Sequence, residues 1–488
     1  MAAATVGLGT FSCQNALLDI KPTILLDGTQ AFDTPSRVLA QVNGLYSYVK
    51  VGTFLGGRYQ IFNDIRANDF INRTSNAVTG LTVWNHTLTE TSQNDVVNTW
   101  TAGYQAINQA NVFLAGLDAN TAKFAANPFP SNYSATVTGY RAEARFLRAL
   151  CYYSLLQLYA RPYADGGGTK PGLPLRLQAE SGLGNNDLAR STVGQVYDQI
   201  LLDLNYAEQN LPLTQGSSAQ NVIRAHRNTA IALKTRVYLT MGRYADVVTE
   251  ANKLVPTAAP YVAATGVANS LNSSITAVFS PPQETTESIL SFPFTAQDAP
   301  GTQNQLGYYY LPASLTGIGA NGDYYLNAAA GGLLANPAFA TTDVRRSSFV
   351  IQAGGLNYLA KYTTGTPFTD KAPVIRYSEV MLSLAEALVR TNNTVDTRAL
   401  ALLNAVRTRS SGTAYTEAAL TPATMIDAIL LERRIEFLGE GLRNIDIMRL
   451  NATIPAKSTI SEVTNTSPAY VWPIPSTELA ANNLMTRN

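Results

Sequence analysis

Residues 432–449 read ERRIEFLGEGLRNIDIMR and combine a dense run of mixed charges with apolar residues. A hydrolase could use two such carboxylates as acid and base. Each acid here has an arginine within helical reach, however, and a nearby guanidinium keeps a carboxylate ionised instead of readying it to donate a proton. The run therefore predicts buried ion pairs that lock helices together. Its charged residues are Glu432, Arg433, Glu436, Glu440, Arg443, Asp446 and Arg449.

Upstream of this run, apolar residues recur at helical spacing over most of the chain. The first helix is predicted to begin at Thr34, because threonine caps a helix and the proline that follows it fits the first turn. Two amphipathic segments, 230–241 and 244–254, have so short a connection that they must fold back antiparallel. A similar pair lies at 377–388 and 399–406. Such pairs must stack to bury their apolar faces, which predicts a mostly α scaffold of tetratricopeptide-like helix pairs.

Two segments interrupt the helical pattern. Residues 256–373 are rich in Gly, Asn, Thr, Ser, Ala and Tyr, and only 288–294 (SILSFPF) reads as a possible strand. A shorter insertion covers residues 160–190. Long aperiodic stretches inside a domain usually carry function, so we expect one loop-rich, irregular face on the scaffold. The sequence contains no obvious interdomain linker, which favours a single domain over residues 13–488.

The composition excludes several function classes. The chain has 488 residues, a formal net charge of +1 and only 14% charged residues, so it lacks the field that gathers nucleic acid. No stretch approaches about 18 consecutive apolar residues, so no membrane-spanning helix is predicted. With only two cysteines, a disulfide framework is excluded, and Cys151 reads as a small buried hydrophobe within a helix.

Catalytic and metal-binding patterns are missing from the sequence. The two histidines, His86 and His226, are far apart and suggest no ligand set. Cys151 has no basic neighbour in its helix, and no phosphate-binding or dinucleotide-binding glycine motif is present. We therefore predict no catalytic residue, no metal ligand and no cofactor, and a non-enzymatic protein. Carboxylates that meet only in the fold leave a hydrolase as the weakest alternative.

The N-terminus suggests a lipid anchor. Cys13 follows a short, charge-free segment, residues 1–12, which is typical of the end of a lipoprotein signal peptide. Two departures from that pattern are the missing basic residues and Thr10, where a leucine is usual. The alternative interpretation is that Cys13 is an ordinary free cysteine with no lipid attached.

Several motifs in order resemble one family. They are RAEARFLRA (141–149), TVGQVYDQILLDLNYAEQNLP (192–212), VIRYSEVMLSLAEA (374–387), LNAVRTR (403–409), the 432–449 run and WPIP (472–475). Together they resemble the SusD/RagB family over essentially the entire chain. Asn483 departs from the pattern, since many members carry proline there.

This resemblance implies a fold and a role. The fold is the mostly α, tetratricopeptide-like scaffold with an irregular ligand-binding face. The role is a surface-exposed outer-membrane lipoprotein of the Bacteroidetes type, anchored at Cys13, that captures nutrients for a SusC-like TonB-dependent barrel. The expected ligand is a glycan. The alternatives are a peptide, as the RagB branch implies, and a tetratricopeptide-type scaffold that binds only proteins.

Candidate ligand contacts follow from chemistry and position, because ligand residues vary within the family. Sugar rings stack on aromatic side chains and pair their hydroxyls with amides and carboxylates. The best cluster is Tyr308, Tyr309 and Tyr310, since three consecutive tyrosines in a polar loop are not expected to share one core. Their alternative role is to pack the loop or to touch the transporter. Further candidates are Trp84 with Asn85 and the acids Asp64 and Asp69.

Overall fold

Helices make up about 47% of the described chain and form its scaffold. The computed structural model describes residues 30–182, 184 and 186–488, so the predictions for residues 1–12 and Cys13 lie outside them. The helices are α1 (Pro35–Val49), α2 (Arg58–Arg66), α3 (Leu81–Trp84), α4 (Asn98–Ala119), α5 (Tyr133–Tyr159), α6 (Val193–Asn210), α7 (Ser218–Ile223), α8 (Arg227–Thr240), α9 (Tyr244–Ala251), α10 (Ile275–Phe279), α11 (Leu306–Tyr310), α12 (Val344–Phe349), α13 (Tyr377–Asn392), α14 (Thr397–Arg409), α15 (Pro422–Glu436), α16 (Arg443–Arg449) and α17 (Ser476–Ala481). The strands are β1 (Phe70–Asn72), β2 (Ser288–Phe292), β3 (Tyr324–Leu326), β4 (Val350–Ala353), β5 (Leu356–Leu359) and β6 (Ala372–Arg376). The predicted mostly α fold is confirmed.

Local capping explains where the long helices begin and end. Thr34 accepts a hydrogen bond from the Arg37 amide at the start of α1, as predicted. Thr192 and Gln195 form a reciprocal capping box at the start of α6. α13 ends at Asn393, whose left-handed backbone (φ +51°) closes the last turn.

Helices next to one another in sequence pack as pairs. α8 packs on α9, and α13 packs on α14, which confirms both predicted antiparallel pairs. α5 lies between α4 and α6, and α13 also contacts α8, α9 and α15. Their apolar faces share one large buried cluster, in which Cys151 is fully buried as predicted.

A buried ion cluster joins the C-terminal helices to the aperiodic segment. Glu436 is fully buried and accepts hydrogen bonds from Arg345 at 2.9 Å, Arg376 at 2.8 Å and Arg409 at 2.6 Å. Five cations face five carboxylates in the complete cluster, which comprises Arg345, Lys361, Arg376, Arg407, Arg409, Glu287, Asp343, Glu432, Glu436 and Glu440. The predicted buried ion pairs are therefore confirmed. Their partners differ from the prediction, because most come from other elements and not from the same helix.

The aperiodic segment contains more regular structure than the sequence suggested. The predicted strand at 288–294 is confirmed as β2, which pairs with β6. The expectation of no further strand is wrong, since β4 pairs with β5 and β3 pairs with β1. These four strands have three or four residues each, too few for an alternating pattern to be recognised in the sequence. The β1–β3 pairing fastens the aperiodic segment to the region just after α2.

Candidate functional site

Two of the three predicted ligand-binding tyrosines are core residues. Tyr309 and Tyr310 have 0% exposure, and only Tyr308 remains half-buried. The three residues end the short helix α11, which turns successive side chains in different directions, and the Tyr309 and Tyr324 rings stack 6.2 Å apart. The three tyrosines do not all enter one core, as expected, but the predicted ligand contacts are wrong for Tyr309 and Tyr310, because both side chains are buried. A ligand can reach only Tyr308 of these three in this conformation.

The two predicted acidic ligand residues are buried and hold the aperiodic segment in place. Asp64 accepts a hydrogen bond from the Tyr310 hydroxyl at 3.0 Å and another from the Gly441 amide at 3.0 Å. Burial raises the pKa of the Asp64 carboxyl well above its usual value. Asp69 accepts from the Leu333 amide at 3.0 Å and pairs with the Arg434 guanidinium. Both carboxylates are therefore structural connections in this conformation, in place of the ligand contacts that we predicted.

Of the two predicted ligand contacts Trp84 and Asn85, the first is also a buried residue. Trp84 is buried, and its indole N–H donates to the carbonyl of Phe70 at 2.9 Å. This contact places α3 against β1 and leaves no indole face for a sugar. Asn85 is half-buried and stays a predicted contact.

A group of exposed and half-buried polar residues surrounds Tyr308. The Arg73 guanidinium donates from Nε to the Gly322 carbonyl at 2.8 Å and also donates to the Asn321 carbonyl. The backbone N–H of Asn321 in turn donates to the Tyr308 carbonyl at 3.0 Å. Tyr325 lies next to this turn on β3, opposite Ile71. We call this surface the tyrosine face, and define it as Arg73, Gln303, Tyr308, Asn321 and Tyr325.

The chemistry of the tyrosine face suits a neutral, hydroxyl-rich ligand. Partial burial and the charge of Asp323 raise the pKa of the Tyr308 phenol, so its hydroxyl stays protonated and can both donate and accept. Asp323 is itself buried, where it accepts from the Thr74 hydroxyl at 2.9 Å and from the Asn321 side chain. The face therefore offers two tyrosine rings, together with an exposed guanidinium and an amide that hydrogen bonds fix to the turn. Asn321 was missed in the sequence because it lies in a Gly/Asn turn without any distinguishing pattern.

A cleft beside α4 was also missed. It has a volume of about 560 Å³ and lies between α4, the 160–190 insertion and α17. The Trp100 and Tyr104 rings pack 4.7 Å apart in its wall, and Arg176 bridges Glu180 at 2.7 Å and Glu478 at 3.4 Å. These residues come from three distant parts of the sequence, so no local pattern could have predicted the cleft. We call it the α4 cleft.

The described residues contain no assembled catalytic or metal centre. Within residues 30–182, 184 and 186–488, no group of three His, Cys, Asp or Glu side chains is placed to hold a metal ion. Burial raises the pKa of the Cys151 thiol, which is the opposite of what a nucleophile needs. Arg449 and other guanidinium groups hold the pKa of the Glu386 carboxyl below its usual value despite burial. In the same part of the chain, no helix combines the length and apolar character needed to cross a membrane.

Family models match both halves of the chain. A model described as "Starch-binding associating with outer membrane" (SusD-like) matches residues 17–239, and the SusD family model, which also carries the name RagB, matches residues 228–488. Two curated SusD-like proteins of Formosa agariphila, P2 and P25, are 26% and 29% identical over 49% and 41% of this chain. The alignments span only 42% and 35% of those relatives' own lengths.

Solved structures share the whole fold. The crystal structure of a SusD superfamily protein from Bacteroides fragilis has 31% sequence identity and a TM-score of 0.82, and the match covers 93% of this chain and 99% of that one. A laminarin-binding SusD-like protein has 20% identity and a TM-score of 0.71, with 94% and 99% of the two chains covered. At 20% identity, the second likeness shows the fold alone.

Proposed function

Because the chain belongs to the SusD family, we propose that it is a cell-surface receptor that captures a glycan and delivers it to a SusC-like TonB-dependent barrel in the outer membrane. Its mechanism is equilibrium binding followed by docking, with no covalent chemistry. Cys13 carries the lipid that holds the protein at the outer membrane.

The tyrosine face is the observation that carries the glycan assignment. Tyr308 and Tyr325 offer apolar ring surface, while Asn321, Gln303 and Arg73 offer hydrogen-bonding groups to sugar hydroxyls. Support also comes from the starch-binding description of the matching family model and from the laminarin-binding name of one structural relative. A peptide ligand would use the same face, with Arg73 pairing to its carboxylates.

A hydrolase has less support than a receptor. A glycosidase needs one carboxylic acid with a raised pKa and a second carboxylate near it, both in reach of the sugar. Glu386 and Glu436 are buried, and neighbouring guanidinium groups hold their pKa values low. Asp64 has a raised pKa, but it is buried beneath Tyr310. Incubation with polysaccharides should therefore release no new reducing ends.

Glycan binding can be tested with tyrosine variants. We expect the purified protein to bind at least one glycan on an array. The double variant Tyr308→Ala/Tyr325→Ala should lose about tenfold or more in affinity for that glycan, because stacking on aromatic rings supplies much of the binding energy. Tyr48→Ala is the matched control, because Tyr48 is 44% exposed on the helical scaffold, in α1. It should bind as the wild type does.

The same glycan array distinguishes binding at the tyrosine face from binding in the α4 cleft. If the tyrosine variants bind normally and Arg176→Met does not, the ligand occupies the α4 cleft and the assignment of the tyrosine face is wrong. Absence of binding to any glycan, combined with binding to peptides, would favour the peptide alternative.

Anchoring and delivery need a separate measurement. Metabolic labelling with a radioactive fatty acid should label the wild type and leave Cys13→Ala unlabelled. The wild type should also co-purify with a TonB-dependent barrel from outer membranes. Equal labelling of Cys13→Ala would contradict the anchor.

A further inference from the structure

A cavity with both polar and apolar walls lies beneath the C-terminal segment, and it shares no residue with the tyrosine face or the α4 cleft. Its volume is about 340 Å³. Its walls include Arg66 at the end of α2, His86 just after α3, and Glu90 and Arg487 near the opening, with Pro468 and Ala469 from the C-terminal segment. At about 30 Å³ per water molecule, the cavity has room for roughly ten waters or one monosaccharide.

Arg66 is a buried cation without a carboxylate partner. Its side chain is among the most buried in the protein, at 2% exposure for the residue. Nη2 donates to the carbonyls of Ala469 at 2.8 Å and Tyr470 at 2.6 Å, whereas Nη1 has no acceptor within the described part of the chain. Desolvation lowers the pKa of Arg66 to about 10, and no acidic side chain offsets it. Buried charges are normally paired, because removing an isolated charge from water is unfavourable.

Lys457 lies behind Arg66 and holds the end of α2 in place. It is buried and donates from Nζ to the carbonyls of Ile65, Arg66 and Ala67, which end α2. Desolvation lowers the pKa of Lys457 well below its usual value. The positive charge that faces the cavity from this side is therefore that of Arg66.

His86 is a strained residue with unsatisfied ring nitrogens. Its backbone is left-handed (φ +58°), a region that non-glycine residues seldom adopt and that is enriched at functional sites. Neither Nδ1 nor Nε2 has a hydrogen-bond partner within the described residues. Desolvation, Lys457 and Arg66 lower the pKa of His86 to about 2, so the ring is neutral at physiological pH and presents one N–H donor.

We propose that this cavity binds a small oxyanion, a carboxylate or a sulfate, between Arg66, His86 and Arg487. The anion supplies the missing partner of Arg66 and accepts the His86 N–H, while Arg487, which now pairs with Glu90 at 2.6 Å, closes the opening. Two sources share this chemistry: a free inorganic anion and the acidic group of a sugar. Other buried arginines differ, since Arg449 pairs with Glu386 at 2.6 Å and with Asp446 at 2.8 Å.

Calorimetric titration of the full chain at constant ionic strength tests the proposal. D-galacturonate and sodium sulfate are the probes, and neutral D-galactose is the matched control ligand. We expect binding of at least one anion that excess galactose does not displace, with sulfate competing for galacturonate where both bind. Binding of sulfate alone identifies an inorganic anion site, whereas binding of galacturonate identifies an acidic-sugar site.

Substitutions of arginines inside and outside the cavity test where the anion binds. Arg66→Met should weaken anion binding by about tenfold to a hundredfold, as expected for loss of a charge-assisted hydrogen bond. Arg487→Gln, a change at the surface that leaves the core intact, should weaken it by a few fold, and serves if Arg66→Met does not fold. Arg58→Met, an equally buried arginine outside the cavity, should bind normally. The proposal is overturned if the wild type binds neither anion, if galactose displaces the bound anion, or if Arg487→Gln and every foldable Arg66 variant bind as the wild type does.

Discussion

Removing one charge from the buried ion cluster should destabilise the whole protein. Glu436 accepts from Arg345, Arg376 and Arg409, and those guanidinium groups come from α12, from the end of β6 and from α14. Glu436→Gln keeps the shape of the side chain but replaces one carboxylate oxygen with an NH₂ group that cannot accept a hydrogen bond. The cluster then holds five cations and four carboxylates in a region without solvent.

The size of this loss follows from the contacts. Each hydrogen bond to a charged group contributes about 1.5–3 kcal/mol, and breaking a buried ion pair costs about 3–5 kcal/mol. The amide oxygen of glutamine retains part of the interaction, so we expect the free energy of unfolding to fall by about 3 kcal/mol. The neighbouring carboxylates Glu287 and Glu440 cannot replace the lost oxygen, because Arg376 already pairs with both.

Chemical denaturation followed by circular dichroism and by tryptophan fluorescence measures this change. Glu417→Gln is the matched control, since Glu417 is exposed and its substitution should change the free energy of unfolding by less than about 0.5 kcal/mol. A loss below about 1 kcal/mol for Glu436→Gln would refute the reasoning, because it would mean that the cluster contributes little net stability. Coincident transitions of the two probes would show that the free energy refers to one cooperative unit.

Two further predictions concern ionisation. Although Asp446 is buried, Arg433 and Arg449 lower the pKa of its carboxyl from the ordinary 3.8 to about 2. The ionised carboxylate therefore contributes its full stabilisation above pH 3.8. This contribution is lost as the pH falls towards 2. The stability difference between wild type and Asp446→Asn should therefore shrink by roughly 2 kcal/mol over that interval, and an unchanged difference in acid denaturation curves would contradict it. Cys151 is fully buried with a raised thiol pKa, so an aromatic disulfide reagent should modify it only after unfolding; rapid modification of native Cys13→Ala protein would contradict this.

The sequence predicted those parts of the fold that depend on local information. Thr34 marks the start of α1 because its side chain caps its own helix, and the short connection between α8 and α9 enforces an antiparallel pair whatever surrounds them. The density of mixed charges at 432–449 predicted burial and pairing correctly. It could not identify the partners, because Arg345 and Arg376 lie outside the run and reach it only through the fold.

The candidate ligand residues were harder to predict for the same reason. Three adjacent tyrosines look alike in a sequence, and only the turn of α11 separates the half-buried Tyr308 from the buried Tyr309 and Tyr310. Asp64 and Asp69 are polar residues in a region where a ligand was expected, yet their partners, Gly441 and Arg434, are more than 350 residues away along the chain. Burial of this kind is decided by long-range contacts that no local pattern contains.

These buried connections suggest how one scaffold can serve different ligands. Asp64 and Asp69 fasten the aperiodic segment from beneath, and the ion cluster fastens it from the C-terminal helices. The tyrosine face is therefore held by groups that a ligand does not touch. At the proposed glycan site, substitutions at Tyr308 or Tyr325 should alter recognition while leaving Asp64 and Asp69 in place, so binding preference can change without a large loss of stability. The proposed delivery to a transporter would also benefit, because a face fixed to a rigid frame presents a ligand in one orientation.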